Sequence, residues 1–218
     1  MFSNVDFVSS IYPIFFSILV FLIIGFTLSF RDYRLNFDLN HFKLFVILYF
    51  GYFLFALILY SAHLEKGSFF LYPDQNGFFK EATFLGQSNS LTEIFIKCFI
   101  NKIHIEDEGA YFLFGIISYL FGKSVLLQTI HVSFIGVLCN LFLYKTLLYY
   151  FESSKAYRNT LYFAFLSPIF YYSPWLLRDI HITFLYMIGI YLIHKKFKIK
   201  VLLALALVFA LIFQFRTS

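Results

Sequence analysis

Long apolar runs alternate with short polar segments along this chain, and the lengths of those runs predict the elements. A helix that crosses the roughly 30 Å hydrocarbon core of a bilayer needs about 20 predominantly apolar residues. Ile11–Phe30, "IYPIFFSILVFLIIGFTLSF", meets that length, and Leu44–Tyr60, Val125–Leu143, Leu161–Leu177, Ile180–Ile193 and Val201–Phe215 follow it as further candidate spans. The first run is not expected to be a secretory signal: no Lys or Arg precedes it, it is too long, and no small-residue cleavage site follows. Tyr111–Phe121 is short for a span and suits a helix lying in the interface or dipping into it. The fold class expected is therefore all-α, a polytopic transmembrane bundle of about six spans, with interfacial helices in a long loop.

Basic residues orient this bundle, because short cytoplasmic loops are enriched in Lys and Arg. Linker 31–43 holds Arg31, Arg34 and Lys43; linker 144–158 holds Lys145, Lys155 and Arg158; linker 194–200 holds Lys195, Lys196, Lys198 and Lys200. These ten of the chain's seventeen basic residues share one side only if Tyr111–Phe121 does not cross. The predicted topology has the N-terminus outside, with the loop 61–124 and the turn at Arg178–Asp179 on the outer face. That loop carries seven acids and five bases around apolar patches at Phe78–Leu85 and Ile94–Ile100, the pattern of a segment lying along a membrane surface.

Composition agrees. Hydrophobic residues make up 61% and charged ones 13%, with mean hydropathy +0.78, whereas a soluble domain averages about 25% charged. The net charge of +5 would suggest nucleic acid in a soluble protein; here the cations lie between apolar runs and report topology, so no nucleic-acid partner is expected. Cys98 and Cys139 sit in unlike surroundings and are not expected to pair, and no zinc-ligand spacing is present.

Three segments carry candidate chemistry. In "YPDQNGFFKEA", residues 72–82, Asp74 sits on a turn bracketed by Pro73 and Gly77, where it either caps a surface helix or does chemistry. In "SPWLLRDIHITF", residues 173–184, Arg178 and Asp179 lie between two apolar runs with almost no loop. Ionisable groups there are costly unless solvated or paired, so they are a mutual ion pair or a functional site. Two carboxylates on one face could bind a hard cation or supply a general base. The acidic run in "HIEDEG", residues 104–109, either binds a cation or favours a helix N-terminus. His63, His104 and His181 define no metal spacing.

The order of these pieces resembles the GT-C superfamily of membrane glycosyltransferases, which includes the protein O-mannosyltransferases and the bacterial aminoarabinose transferases for lipid A. The resemblance rests on the loop acid in "YPDQNGFFKEA", on "EGAYFLFGIISYLFGKS", and on "SPWLLRDIHITFLYMIGIYLI" after a long helix and a basic linker. It covers residues 42–215. It departs from the family where Gln75 follows Asp74 in place of a second acid, and in an additional span before the expected first one. The division implied is 1–43, an extra N-terminal transmembrane helix and basic cytoplasmic linker, and 44–218, a GT-C-like module. Relatives carry more spans than this chain offers, so the expectation is an N-terminal portion of a longer enzyme.

The resemblance implies sugar transfer from a polyprenyl-phosphate-linked donor to a lipid, glycan or protein acceptor on the outer face, in a bacterial cytoplasmic membrane. Asp74 would be general base or metal ligand, Asp179 a second metal or acceptor ligand, and a divalent metal ion an optional cofactor. Arg178 or Arg216 would neutralise the donor phosphate, for which the planar guanidinium is well shaped, and Tyr111 would contact substrate. The alternatives are a polysaccharide polymerase or ligase of the outer face, and a non-enzymatic membrane protein such as a transporter. A transporter would place ionisable groups or broken helices near the bilayer midplane.

Overall fold

The computed structural model describes residues 4–31, 36–65, 73–100, 108–174, 178–195 and 198–216. The described fold is all-helical apart from one two-residue antiparallel pairing, Phe30 with Phe37 and Arg31 with Asn36, that closes the first helical hairpin. Three helices are long and apolar enough to cross a membrane. They are α1 (Asn4–Leu28), α2 (Leu39–Glu65) and α6 (Val125–Leu147). The 23 residues of α6 extend about 34 Å at roughly 1.5 Å each, enough for a hydrocarbon core.

Burial ranks these three. Within their most apolar windows, α6 is 89% buried, α2 33% and α1 17%, so α6 is the central pillar and the other two present apolar faces outward. α2 runs antiparallel to α6. Near its start Asp38 meets Tyr144, and in its middle Tyr52 meets Asn140. α1 runs parallel to α6, stacking Phe21 on Phe134 at 3.9 Å between ring centroids. The segment between α2 and α6 therefore leaves and returns at one end of the bundle.

That segment builds α3 (Pro73–Leu85), α4 (Leu91–Phe95), a π-helical turn (Ile96–Ile100) and α5 (Glu108–Phe121). Ser90 starts α4, its Oγ accepting from Glu93 N at 3.1 Å, while Glu93 reaches back to accept from Asn89 N at 2.8 Å. This reciprocal arrangement satisfies donors a helix start otherwise leaves orphaned. α5 ends at Gly122, whose φ of +100° suits glycine. Ser124 then caps α6, its Oγ accepting from Leu127 N. α5 lies along α3, where Gly115 admits Leu85 and Gly86 admits Ser118. It also touches α6, α10 and α1.

The expected span Leu161–Leu177 differs from the structure, because it is not one helix. α7 (Ser153–Leu166) stops, Ser167 is extended at φ −85°, ψ 155°, and α8 (Pro168–Tyr172) follows; residues 175–177 lie outside the described residues. The cause is Pro168, which disfavours helical backbone at the residue before it and cannot donate to the carbonyl four residues back. That carbonyl, Ala164 O, instead accepts the Tyr52 hydroxyl at 3.2 Å from α2. α9 (Asp179–Ile193) and α10 (Ile199–Arg216) complete the chain as shorter apolar helices.

Candidate functional site

The depth of α9 follows from its pairing with α6. Cys139 lies beside Ile180 O at 4.0 Å. Phe142 meets Phe184 at 5.8 Å, Tyr149 meets Tyr191 at 6.3 Å, and Tyr150 meets His194 at 5.3 Å. The offset between partners is nearly constant, so the two helices run parallel. Asp179 therefore lies level with about Cys139, 14 residues from Val125, or some 21 Å along α6 at about 1.5 Å per residue. The sequence placed Arg178–Asp179 in a turn at the outer face; the structure sets this pair more than halfway down α6. The break at Pro168 shortens the rise of the chain on one side of the turn, and the 15-residue α9 is too short to restore it.

Several candidate residues are drawn towards the start of α9 by one aromatic chain. Phe78 of α3 packs on Tyr111 and Phe114 of α5 at 5.1 and 5.5 Å between ring centroids. Phe114 then meets the buried His181 edge-on at 5.3 Å. Asp74 lies in α3 one helical turn before Phe78, and Asp179 two residues before His181. α10 packs against α9 and α5, contributing Val208 and Ile212 to the same core as Phe78, Phe114 and Ile180. It returns antiparallel to α9, bringing Val208 beside Gly189, so its last residue, Arg216, ends on the side where α9 begins.

Within this arrangement Asp179 is exposed and Arg178 half-buried. Asp179 occupies the first turn of α9, where a carboxylate complements the positive end of the helix. Tyr111 is half-buried in the aromatic chain. The side chains of Asp74, Arg216 and His63 lie outside the described residues, as do His104, Glu106 and Asp107 entirely. Among the described residues, no three of His, Cys, Asp and Glu come together as ligands for a metal ion.

Sequence reasoning passed over two polar assemblies. In the first, Asp38 caps α2, accepting from Asn40 N and His41 N at 3.1 Å each. The same carboxylate accepts from Tyr144 at 3.1 Å; Tyr144 bonds Ser153 at 2.8 Å, and Ser153 accepts from Asn40 Nδ2 at 2.8 Å. This ring ties the starts of α2 and α7 to the end of α6. The legible signal was an Asp immediately before an apolar helix, the N-cap pattern. In the second, Asn140 Nδ2 donates to Tyr52 Oη at 2.9 Å, orienting that hydroxyl towards Ala164. An amide inside an apolar run is itself a sign of a helix–helix contact.

Near α3 and α5, burial pushes the Cys98 thiol up to about 11, and the charges of Glu108 and Glu81 add to the shift. Glu93 is held below the usual carboxylate range, first by its hydrogen bond from Lys97 and then by that from Asn89. The Lys97–Glu93 pair at 2.7 Å is a partly exposed i,i+4 contact, where solvent screening leaves little net stabilisation. Compared with known protein families, with curated proteins and with solved structures, the chain matches none.

Proposed function

We propose that this chain is, or forms part of, a membrane glycosyltransferase that moves a sugar from a polyprenyl-phosphate-linked donor to an acceptor at the outer end of the bundle. The observation that carries the reading is the Phe78–Phe114–His181 chain, which draws the helix bearing Asp74 towards the exposed Asp179 from 105 positions away in sequence. Ionisable groups held halfway down a central span face water-filled space or a partner rather than lipid. The donor tail would lie between apolar helices, with its phosphate near the outer headgroup layer. In this reading Asp74 takes the acceptor proton, Asp179 holds the acceptor or a divalent ion, and Arg178 or Arg216 meets the phosphate. The six-crossing topology belongs to the same proposal, with α7–α8 as one broken crossing and α9 and α10 as two short ones.

The test is release of polyprenyl phosphate from a labelled synthetic polyprenyl-phosphate hexose by membranes holding the chain. Asp74→Asn and Asp179→Asn should each lower release by at least about a hundredfold, the scale of a lost general base, with membrane insertion intact. Release no greater than from empty membranes overturns the reading. So does full activity in both variants.

A second reading, a transporter, is favoured by two observations: the helix broken at Ser167–Pro168 and the start of α9 beside the middle of α6. Transporters build substrate sites from such half-helices near the midplane. Proteoliposomes distinguish the two, since counterflow of a labelled solute without polyprenyl phosphate release would favour transport.

A further inference from the structure

We infer that the end of the bundle where α6 and α9 finish is a binding surface for the headgroups of anionic phospholipids. The inference is independent of the transferase reading. Two turns meet there, residues 148–152 after α6 and residues 194–195 after α9. His194 joins them: its Nδ1–H donates to Ile190 O at 2.7 Å and its Nε2 accepts from the Tyr150 hydroxyl, while its ring stacks on Tyr149 at 5.6 Å. The join brings Lys155 and Arg158 of α7 to the same end as Lys195, Lys198 and Lys200. None of these five forms an ion pair with a described carboxylate, and the described acids at this end are Asp38, turned into the polar ring with Tyr144, and the exposed Glu152.

Like charges gathered at one end repel one another unless an anion is supplied, and here the protein supplies few. Helix ends account for one of the five, because Lys195 follows the last turn of α9, where a cation complements the helix end. They do not account for Lys155 and Arg158, which lie in the first half of α7, where a helix N-terminus disfavours them. The aromatic setting identifies the anion's source. Tyr149 and Tyr150 are exposed, Lys195 lies over the Tyr191 ring at 4.8 Å, and Lys155 over Phe151 at 5.0 Å. Exposed Tyr beside Lys and Arg is the composition of a membrane interface, where the ring sits among headgroups and the cation reaches their phosphates. The partner is thus a phosphodiester carried on a lipid, held by several cations at once.

The experiment uses the full chain in neutral detergent, titrated with phosphatidylglycerol or phosphatidylcholine, with bound lipid counted by native mass spectrometry. Phosphatidylglycerol should be retained at least about tenfold more tightly than phosphatidylcholine, with retention falling as salt rises. Replacing Lys155, Arg158, Lys195, Lys198 and Lys200 by Gln should abolish that preference. Replacing Lys80 and Lys123, at the other end, should leave it. Equal retention of the two lipids by the unaltered chain overturns the inference without any variant. It is also overturned if the Lys80/Lys123 variant loses the preference equally, or if inorganic phosphate at millimolar concentration displaces the lipid completely.

Discussion

Replacing Tyr52 by Phe removes one oxygen and should uncover the cost of Pro168. In an unbroken helix the N–H of residue 168 would bond Ala164 O, and proline has no N–H to give. Tyr52 Oη fills the vacancy at 3.2 Å, and Asn140 Nδ2 holds it in place from the other side at 2.9 Å. Tyr52 is 1% exposed, and Ala164 and Asn140 are 0% exposed, so water does not reach the bond from outside. Losing the hydroxyl leaves a buried carbonyl unsatisfied and an amide without one acceptor. Buried unsatisfied groups cost about 1–3 kcal/mol in soluble proteins, and side-chain hydrogen bonds inside membrane bundles average nearer 0.6 with a ceiling of about 1.7. The expected loss is therefore about 1–1.5 kcal/mol, or a fall in Tm of roughly 2–5 °C for a chain of this size.

The carbonyl's need for a donor arises from the proline, so the two residues should be coupled. Pro168→Ala restores an N–H able to bond Ala164 O once Ser167 returns to helical backbone. In that background Tyr52→Phe should cost less by about 0.5–1 kcal/mol, a coupling measurable by a double-mutant cycle. The assay is reversible unfolding in mixed micelles, followed with a fluorogenic thiol dye, since Cys98 and Cys139 are both buried and become accessible only on unfolding. Additive losses within error, with Tyr52→Phe as costly in the Pro168→Ala background as in the unaltered chain, would refute the account. The Tyr52 hydroxyl would then stabilise something other than the broken helix.

Other outcomes follow from the same contacts. Gly136→Ala should destabilise by about 1–2 kcal/mol despite its better helix propensity, because the new methyl would lie 2.7 Å from both Ser173 and Tyr52; a rise in Tm would contradict the close approach of α6, α2 and α8. Cys98, with its thiol near 11, should have about a thousandth of its sulfur as thiolate at pH 8 and resist maleimide in the folded chain; labelling as fast as a free thiol would show it to be accessible. Glu93's depressed titration adds stability above the ordinary carboxylate range that is lost as pH falls through its folded value, so Glu93→Gln should flatten the acid limb of the unfolding curve. Cysteines introduced at 76 or 90 should be labelled from one side of sealed vesicles and those at 155 or 197 only after permeabilisation; labelling of 90 and 155 from the same side would refute the topology.

The helices were legible wherever a single run of apolar residues decided the outcome. α6 begins at Val125 as expected, and α9 and α10 begin within two residues of the positions expected from their runs. Ser124, Gly122 and Ser90 are local signals that act through backbone hydrogen bonds within a few residues, so they can be recognised without tertiary information. What escaped depended on partners remote in sequence. Hydropathy makes Leu161–Leu177 one span because it scores Pro168 as a mild interruption, whereas a missing N–H changes the path of the chain. The depth of Asp179 could not be seen either, since it is fixed by the pairing of Cys139 with Ile180 and of Tyr149 with Tyr191. Asp38 had its cap signature in plain view, but the bond to Tyr144 spans 106 positions.

Depth is also what separates the two functional readings. A carboxylate at the outer surface would be solvated in either case and would discriminate nothing. Asp179 is exposed, yet it starts a helix level with the second half of α6. An exposed charge at that level is stable only if water or a polar substrate reaches it. Access from one side alone suits a transferase whose donor slides in laterally and whose acceptor arrives from the outer solution. Access alternating between sides suits a transporter. A cysteine at position 179 labelled by a charged maleimide from only one side, under every substrate condition, would therefore argue for transfer. Labelling that switches sides when a solute is added would argue for transport, because one rigid cleft cannot open both ways.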